Sequence, residues 1–140
     1  MHWARFLAAA LILLGMSVAR ADVAISTRPT QNMTCSGGVC TPTAKKAVLN
    51  VGDLANMLAS GDATVQSGSI AQDIEIDAAL SWTSTHRLTL DSYHSITFNK
   101  PVVVAGNGAM TITTGNGGDF RFVGKGHVEL WDLGSSLIIN

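Results

Sequence analysis

The chain of 140 residues carries nine Lys and Arg against ten Asp and Glu, a formal charge of −1, with 14% charged residues, 14 glycines and only three prolines. That length suits one domain rather than two, and the low charge and scarce proline speak against a disordered tail. Lys45-Lys46 is the only adjacent basic pair, so the clustered cations that a phosphate backbone requires are lacking and a nucleic-acid partner is disfavoured.

The first 21 residues have the three parts of a secretory signal peptide. A short polar start bearing Arg5 leads into an apolar stretch from Phe6 to Val18, and Ala19-Arg20-Ala21 supplies small residues at alternate positions. Cleavage is expected between Ala21 and Asp22. The apolar stretch is shorter than the about 20 residues needed to span a bilayer, and no second such run follows, so no transmembrane segment is expected after cleavage. Loss of Arg5 and Arg20 leaves seven basic residues against ten acidic ones, a formal charge of −3.

Residues 22–49 are polar and Thr-rich without sustained periodicity, and read as an extended leader. Within it, Cys35 and Cys40 flank Ser36-Gly37-Gly38-Val39. An oxidising compartment favours their pairing with each other, since the spacing fits neither a zinc site nor a CxxC redox motif. So short a ring constrains the unfolded chain by only about 2 kcal/mol, which pins a loop and not a fold.

Between Asn50 and Asp62, Leu54, Met57 and Leu58 recur at helical spacing, with Asp53 expected as N-cap and Gly61 as a left-handed stop. One short helix is predicted there. Beyond it the period changes from 3.6 to 2. Triplets with apolar flanks recur at Ile74-Glu75-Ile76, Leu88-Thr89-Leu90, Ile96-Thr97-Phe98, Val102-Val103-Val104, Met110-Thr111-Ile112, Phe120-Arg121-Phe122, Val128-Glu129-Leu130 and Leu137-Ile138-Ile139. Each places its flanks on one face and its centre on the other. Glycine and asparagine turn signals separate them.

Taken in threes, the triplets repeat 22 to 27 residues apart, from Leu88 to Met110 to Leu137, from Ile96 to Phe120 and from Val102 to Val128. Such spacing predicts an all-β fold, a right-handed parallel β-helix with a short N-terminal capping helix over residues 50–140, its last strand unit left open at Asn140. An antiparallel β-sandwich is the alternative.

The run from Arg87 to Thr114, with its Leu88-Thr-Leu90, Ile96-Thr-Phe98, Pro101-Val-Val-Val-Ala-Gly-Asn-Gly108 and Met110-Thr-Ile112, resembles the coils of filamentous-haemagglutinin-like adhesins and related bacterial β-helix surface proteins, and the match continues loosely through Gly118-Asp-Phe-Arg-Phe122 and His127-Val-Glu-Leu-Trp-Asp132 to Ile139. The resemblance covers roughly half the chain and is one of turns and strands. It implies a non-enzymatic module, secreted or held at the outer surface of a Gram-negative cell by way of the periplasm. Its implied partners are further coils or a second copy, and a host or surface glycan or protein receptor. The chain lacks the Asn-Pro-x-Gly motif typical of family members that cross the outer membrane through a dedicated partner.

The competing function is a carbohydrate-active enzyme, a polysaccharide lyase or hydrolase, which needs paired carboxylates or an acidic calcium site. Asp73, Glu75 and Asp77 are the candidates, and the plainer reading is the solvated face of a strand over Ile74 and Ile76. His86, His94 and His127 have no metal-binding spacing. Gly115-Asn-Gly-Gly-Asp-Phe120 faintly echoes a calcium-binding nonapeptide turn but stands alone. Trp82, Tyr93 and Trp131 are candidates for a sugar-stacking platform or for simple packing. Asn32-Met33-Thr34 is a formal glycosylation sequon. No catalytic residue, cofactor or metal is assigned.

Overall fold

The computed structural model describes residues 21–140. The expected signal peptide, Met1 to Ala21, lies outside them but for its last residue, while Asp22 on the far side of the expected cleavage point opens the first strand.

Strand-forming triplets and the turns between them produce fourteen strands among the described residues. These are β1 (Asp22–Ser26), β2 (Met33–Ser36), β3 (Val39–Pro42), β4 (Lys46–Asn50), β5 (Ala63–Gln66), β6 (Asp73–Ile76), β7 (Leu80–Trp82), β8 (Arg87–Asp91), β9 (Ile96–Phe98), β10 (Pro101–Val104), β11 (Ala109–Thr113), β12 (Phe120–Phe122), β13 (His127–Leu130) and β14 (Ser136–Ile139). Two short helices, α1 (Val51–Ser60) and the single turn α2 (Gly68–Ala71), flank β5. The strands form three sheets, ordered β12-β9-β6-β1-β4, β13-β10-β7 and β14-β11-β8-β5-β3-β2.

From β5 onward the chain visits the three sheets in turn and returns to each at every third strand. Pairing there is parallel and aligns like residues in rows. Ile74, Ile96 and Phe120 are Cα partners in succession, as are Leu80, Val102 and then Val128, and Leu88, Met110 and then Leu137. One face of each row supplies the core. Val23, Ile25, Ile74, Ile76, Leu88, Leu90, Ile96, Phe98, Met110 and Ile112 are wholly buried in a single apolar cluster.

Two expectations about architecture are corrected. The right-handed parallel β-helix with an N-terminal capping helix gives way, among the described residues, to three strand sheets of mixed order with two short helices. β1 lies between β4 and β6, so sheet order departs from chain order, and the third sheet ends in the antiparallel β2–β3 hairpin. α1 follows four strands instead of preceding them all. The antiparallel sandwich fails as well, because among the named strand pairs of the described residues only β2–β3 is antiparallel.

The stretch expected as an extended leader contains β1 to β4, whose Val23, Ile25, Ala47 and Leu49 enter the core. The hairpin carries the Cys35–Cys40 disulfide, and Cys40 is fully buried. Helix α1 buries Leu54 and Leu58 but is capped differently from the expectation. Asn50 is the N-cap, its Oδ1 accepting from the Asp53 backbone N–H at 3.1 Å, because an extended residue at the end of β4 is already positioned for that role. Gly61 is extended at φ −175° rather than left-handed, and its N–H closes the helix on the Met57 carbonyl.

Candidate functional site

The outward row of the first sheet begins with carboxylates. Asp73, Glu75 and Asp77 follow the alternation of β6, and the turns above them supply hydrogen bonds. Asp73 Oδ1 accepts from the Ser95 backbone N–H at 2.9 Å and lies 3.0 Å from His94 Nδ1. Asn99 Nδ2 donates to Asp77 Oδ1 at 2.8 Å and to Glu75 Oε1 at 3.2 Å. The carboxylates therefore tie β6 to the turns flanking β9, and Glu75, with 9% of its surface accessible, lies against the sheet. Asp77 and the Asp73–His94 pair nevertheless stay open to solvent, the Asp73 and His94 side chains being 37% and 47% exposed.

His86 is also architectural. Its Nδ1 lies 2.8 Å from the Leu58 carbonyl, which accepts from Ser84 Oγ at 2.6 Å as well. These bonds satisfy a carbonyl at the C-terminal end of α1 that the helix itself leaves open. The three aromatic candidates are not brought together. Trp82 packs in the core with its indole N–H bonded to the His86 carbonyl, whereas Tyr93 and Trp131 stand exposed on separate turns. In the glycine turn, Asn116 and Gly117 take positive φ and Asn116 Nδ2 donates to the Tyr93 carbonyl, so the side chain serves the adjacent turn. Among the described residues no group of three His, Cys, Asp or Glu could hold a metal ion.

One polar constellation was missed in the sequence. His127, Glu129 and Trp131 follow the two-residue period of β13 and stand together on the solvent side. His127 Nε2 meets Glu129 Oε2 at 2.5 Å, and the Trp131 indole N–H donates to Glu129 Oε1 at 2.7 Å. The hydrogen bond to Glu129 is the main cause that raises the His127 pKa above 6.5, aided by the Lys125 carbonyl. The Trp131 and His127 hydrogen bonds, in that order, lower the Glu129 pKa. The signal was the pattern His-x-Glu-x-Trp, legible once the alternation is applied to the middle residues of the triplets as well as to their flanks.

Surface depressions are shallow. One of about 330 Å³ lies between Ala55 and Ala59 of α1 and Trp82 to Ser84, and another of about 410 Å³ lies beside Gly37, Gly38 and Met57. Neither gathers the carboxylates. Among the described residues no helix is long and apolar enough to cross a membrane. Compared with protein families, curated proteins and solved structures, the chain matches none.

Proposed function

We propose that the chain is a non-enzymatic, secreted or cell-surface module of a filamentous-haemagglutinin-like adhesin, which offers its outer sheet faces as a binding or structural surface. The observation that carries this reading is the use of the candidate carboxylates. Asp73 accepts from the Ser95 backbone amide, and Glu75 and Asp77 accept from the Asn99 side chain, so all three help fasten β6 to the next layer. The outward row Thr64, Thr89 and Thr111 along the third sheet is a further support, since small hydroxyl-bearing side chains make a continuous, low-relief face. Export follows from the signal sequence, with the mature protein beginning at Asp22.

The test is to recover exported protein, establish its first residue by intact mass, and measure its binding to arrayed glycans and to host-cell surfaces alongside polysaccharide turnover with and without calcium. Saturable binding without turnover is expected. Reproducible turnover that is abolished by Asp73→Asn or Asp77→Asn would overturn the reading in favour of an enzyme.

A further inference from the structure

The Cys35–Cys40 disulfide joins two residues of opposite exposure, and strand order is the reason. β2 is the outermost strand of its sheet, and β3 lies between it and β5. Cys35 and Cys40 are direct partners across the antiparallel hairpin, which Gly37 and Gly38 close as a two-residue turn at φ +60° and +82°. Cys40 is in addition the Cα partner of Val65 in β5. Cys40 and Val65 are both 0% exposed and belong to the core cluster. Cys35, one strand further out, is exposed.

Exchange of a disulfide with a thiol is an in-line displacement, in which a thiolate approaches one sulfur and the other departs from the far side with the bonding electron pair. The cysteines face each other across β2 and β3, so Cys35 Sγ is approached from the outer side of β2 and Cys40 Sγ from the side of β5. The first path starts in solvent. The second runs through the core, where Met57 Sδ lies 3.7 Å from Cys40 Sγ. The depression of about 410 Å³ beside Gly37, Gly38 and Met57 stops short of Cys40, which has no accessible surface.

We propose that Cys35 is a site of reversible S-thiolation by a low-molecular-weight thiol, and that Cys40 is the cysteine that resolves the adduct. In the forward step the external thiolate bonds to Cys35 Sγ as the Cys35–Cys40 bond breaks. Cys40 takes the electron pair of that bond and then the proton that the external thiol gave up. One disulfide replaces another, so no separate oxidant or reductant enters the balance. In the return step Cys40, deprotonated again, attacks Cys35 Sγ and expels the external thiolate. The fold favours return. Pairs on both sides of the bridge, Thr34 with Thr41 and Ser36 with Val39, keep the two sulfurs adjacent, so Cys40 has the advantage of an intramolecular nucleophile over a dissolved one. β3 stays anchored meanwhile through its pairing with β5 and the 2.7 Å hydrogen bond from the Thr64 N–H to the Gly38 carbonyl. An adduct on Cys35 projects from the outer strand and displaces no core side chain. One on Cys40 would need space that a close-packed core does not provide. The inference concerns the hairpin alone and is independent of what the sheet faces bind.

The experiment equilibrates the folded, oxidised protein with reduced and oxidised glutathione, quenches in acid, alkylates free thiols under denaturing conditions and locates each modification by tandem mass spectrometry. The expected adduct carries glutathione on Cys35 and the alkyl group on Cys40, and exceeds the reverse arrangement by at least about tenfold. Single-cysteine variants read the same asymmetry without exchange. The lone Cys40 of Cys35→Ala should react with iodoacetamide at least about tenfold more slowly than the lone Cys35 of Cys40→Ala while both are folded, and at a similar rate in denaturant. Far-ultraviolet circular dichroism verifies folding of each variant, and exchange on the unsubstituted protein decides the question if either fails to fold. Glutathione on Cys40, an equal mixture, or no adduct at all overturns the proposal, as do equal alkylation rates in the two folded variants.

Discussion

Turn glycines in this fold are set by the distance between stacked layers, and Gly106→Ala measures that constraint. A Cβ on Gly106 would lie 2.0 Å from the Thr83 carbonyl oxygen and 2.6 Å from its carbon. Such contacts essentially never fall below 3.0 Å, so the two turns must part by about 1 Å, and both partners are backbone. The adjoining hydrogen bond from Ala105 N–H to the Trp82 carbonyl, now 3.0 Å, would be stretched with them. Overpacking costs about 1–3 kcal/mol and the weakened hydrogen bond about 0.5–1.5 kcal/mol, for a loss of roughly 2–4 kcal/mol. At about 3–5 °C per kcal/mol for a domain of this size, the thermal midpoint should fall by roughly 6–20 °C. Two companions separate contact from conformation. Gly61 has open space around its Cβ position and an extended backbone, so Gly61→Ala should stabilise by about 0.4–1 kcal/mol. Gly117 also has open space but φ is +80°, so Gly117→Ala should cost about 1–2 kcal/mol through the backbone alone. Calorimetry of the three variants checks the order. A Gly106→Ala midpoint within a degree or two of the unsubstituted protein, or equal losses at Gly106 and Gly61, would refute the reasoning.

The two ends of an apolar row should differ in worth: Phe98→Ala, at a fully buried site, should cost about 3–5 kcal/mol in urea unfolding, and Phe122→Ala one layer above, 47% exposed, well under half of that. Cys35→Ser should cost about 2 kcal/mol by freeing the short ring, while Cys40→Ser should cost more, because it also places a hydroxyl at a site with no exposure; denaturant titration of both variants reads the difference. The His127–Glu129 pair has a defined pH window. A raised His127 pKa gives a contribution present below the unfolded value and lost as pH rises through the folded one; a lowered Glu129 pKa gives one present above the unfolded value and lost as pH falls through the folded one. The ion pair therefore persists between the lowered Glu129 and the raised His127 values. Proton NMR titration should find His127 titrating above 6.5 and returning toward it in Glu129→Gln.

What the sequence made legible was local. The alternating triplets from Ile74 onward coincide with strands, and the spacing of Leu88, Met110 and Leu137 is the register in which β8, β11 and β14 pair. Strands of three to five residues need no more information than a period of two and a turn on either side. The misreadings came from contacts that no local pattern records. Val23 and Ile25 alternate in β1, and Ala47 and Leu49 in β4, as plainly as any later triplet, but they stand among threonines and turn residues. Their assignment rests on β1 entering between β4 and β6, a pairing across 51 positions from Asp22 to Asp73. The same holds for the start of α1. Asp53 and Asn50 are equally good N-cap types, and Asn50 already lies at the end of a paired strand, so tertiary placement decided between two residues that propensity ranks alike.

The candidate site was legible as a row of residues and not as an arrangement. Alternation places Asp73, Glu75 and Asp77 on one face, but whether such a row faces a ligand or a neighbouring layer depends on what the next repeat puts beside it. Here the layer above contributes Ser95 and Asn99, an amide and a carboxamide that complement carboxylates. His86 is equally uninformative alone, and becomes intelligible once Leu58, 28 residues earlier, is seen to lack a helical donor for its carbonyl. The consequence extends to Trp82. Buried with its N–H on the His86 carbonyl, it links the closed end of the core to the same turn that completes α1. Polar and aromatic residues that look like chemistry in the sequence are thus concentrated where one layer must be fastened to the next. Along β13 side chains of the same types make no bond to another strand, and His127, Glu129 and Trp131 bond to one another in solvent.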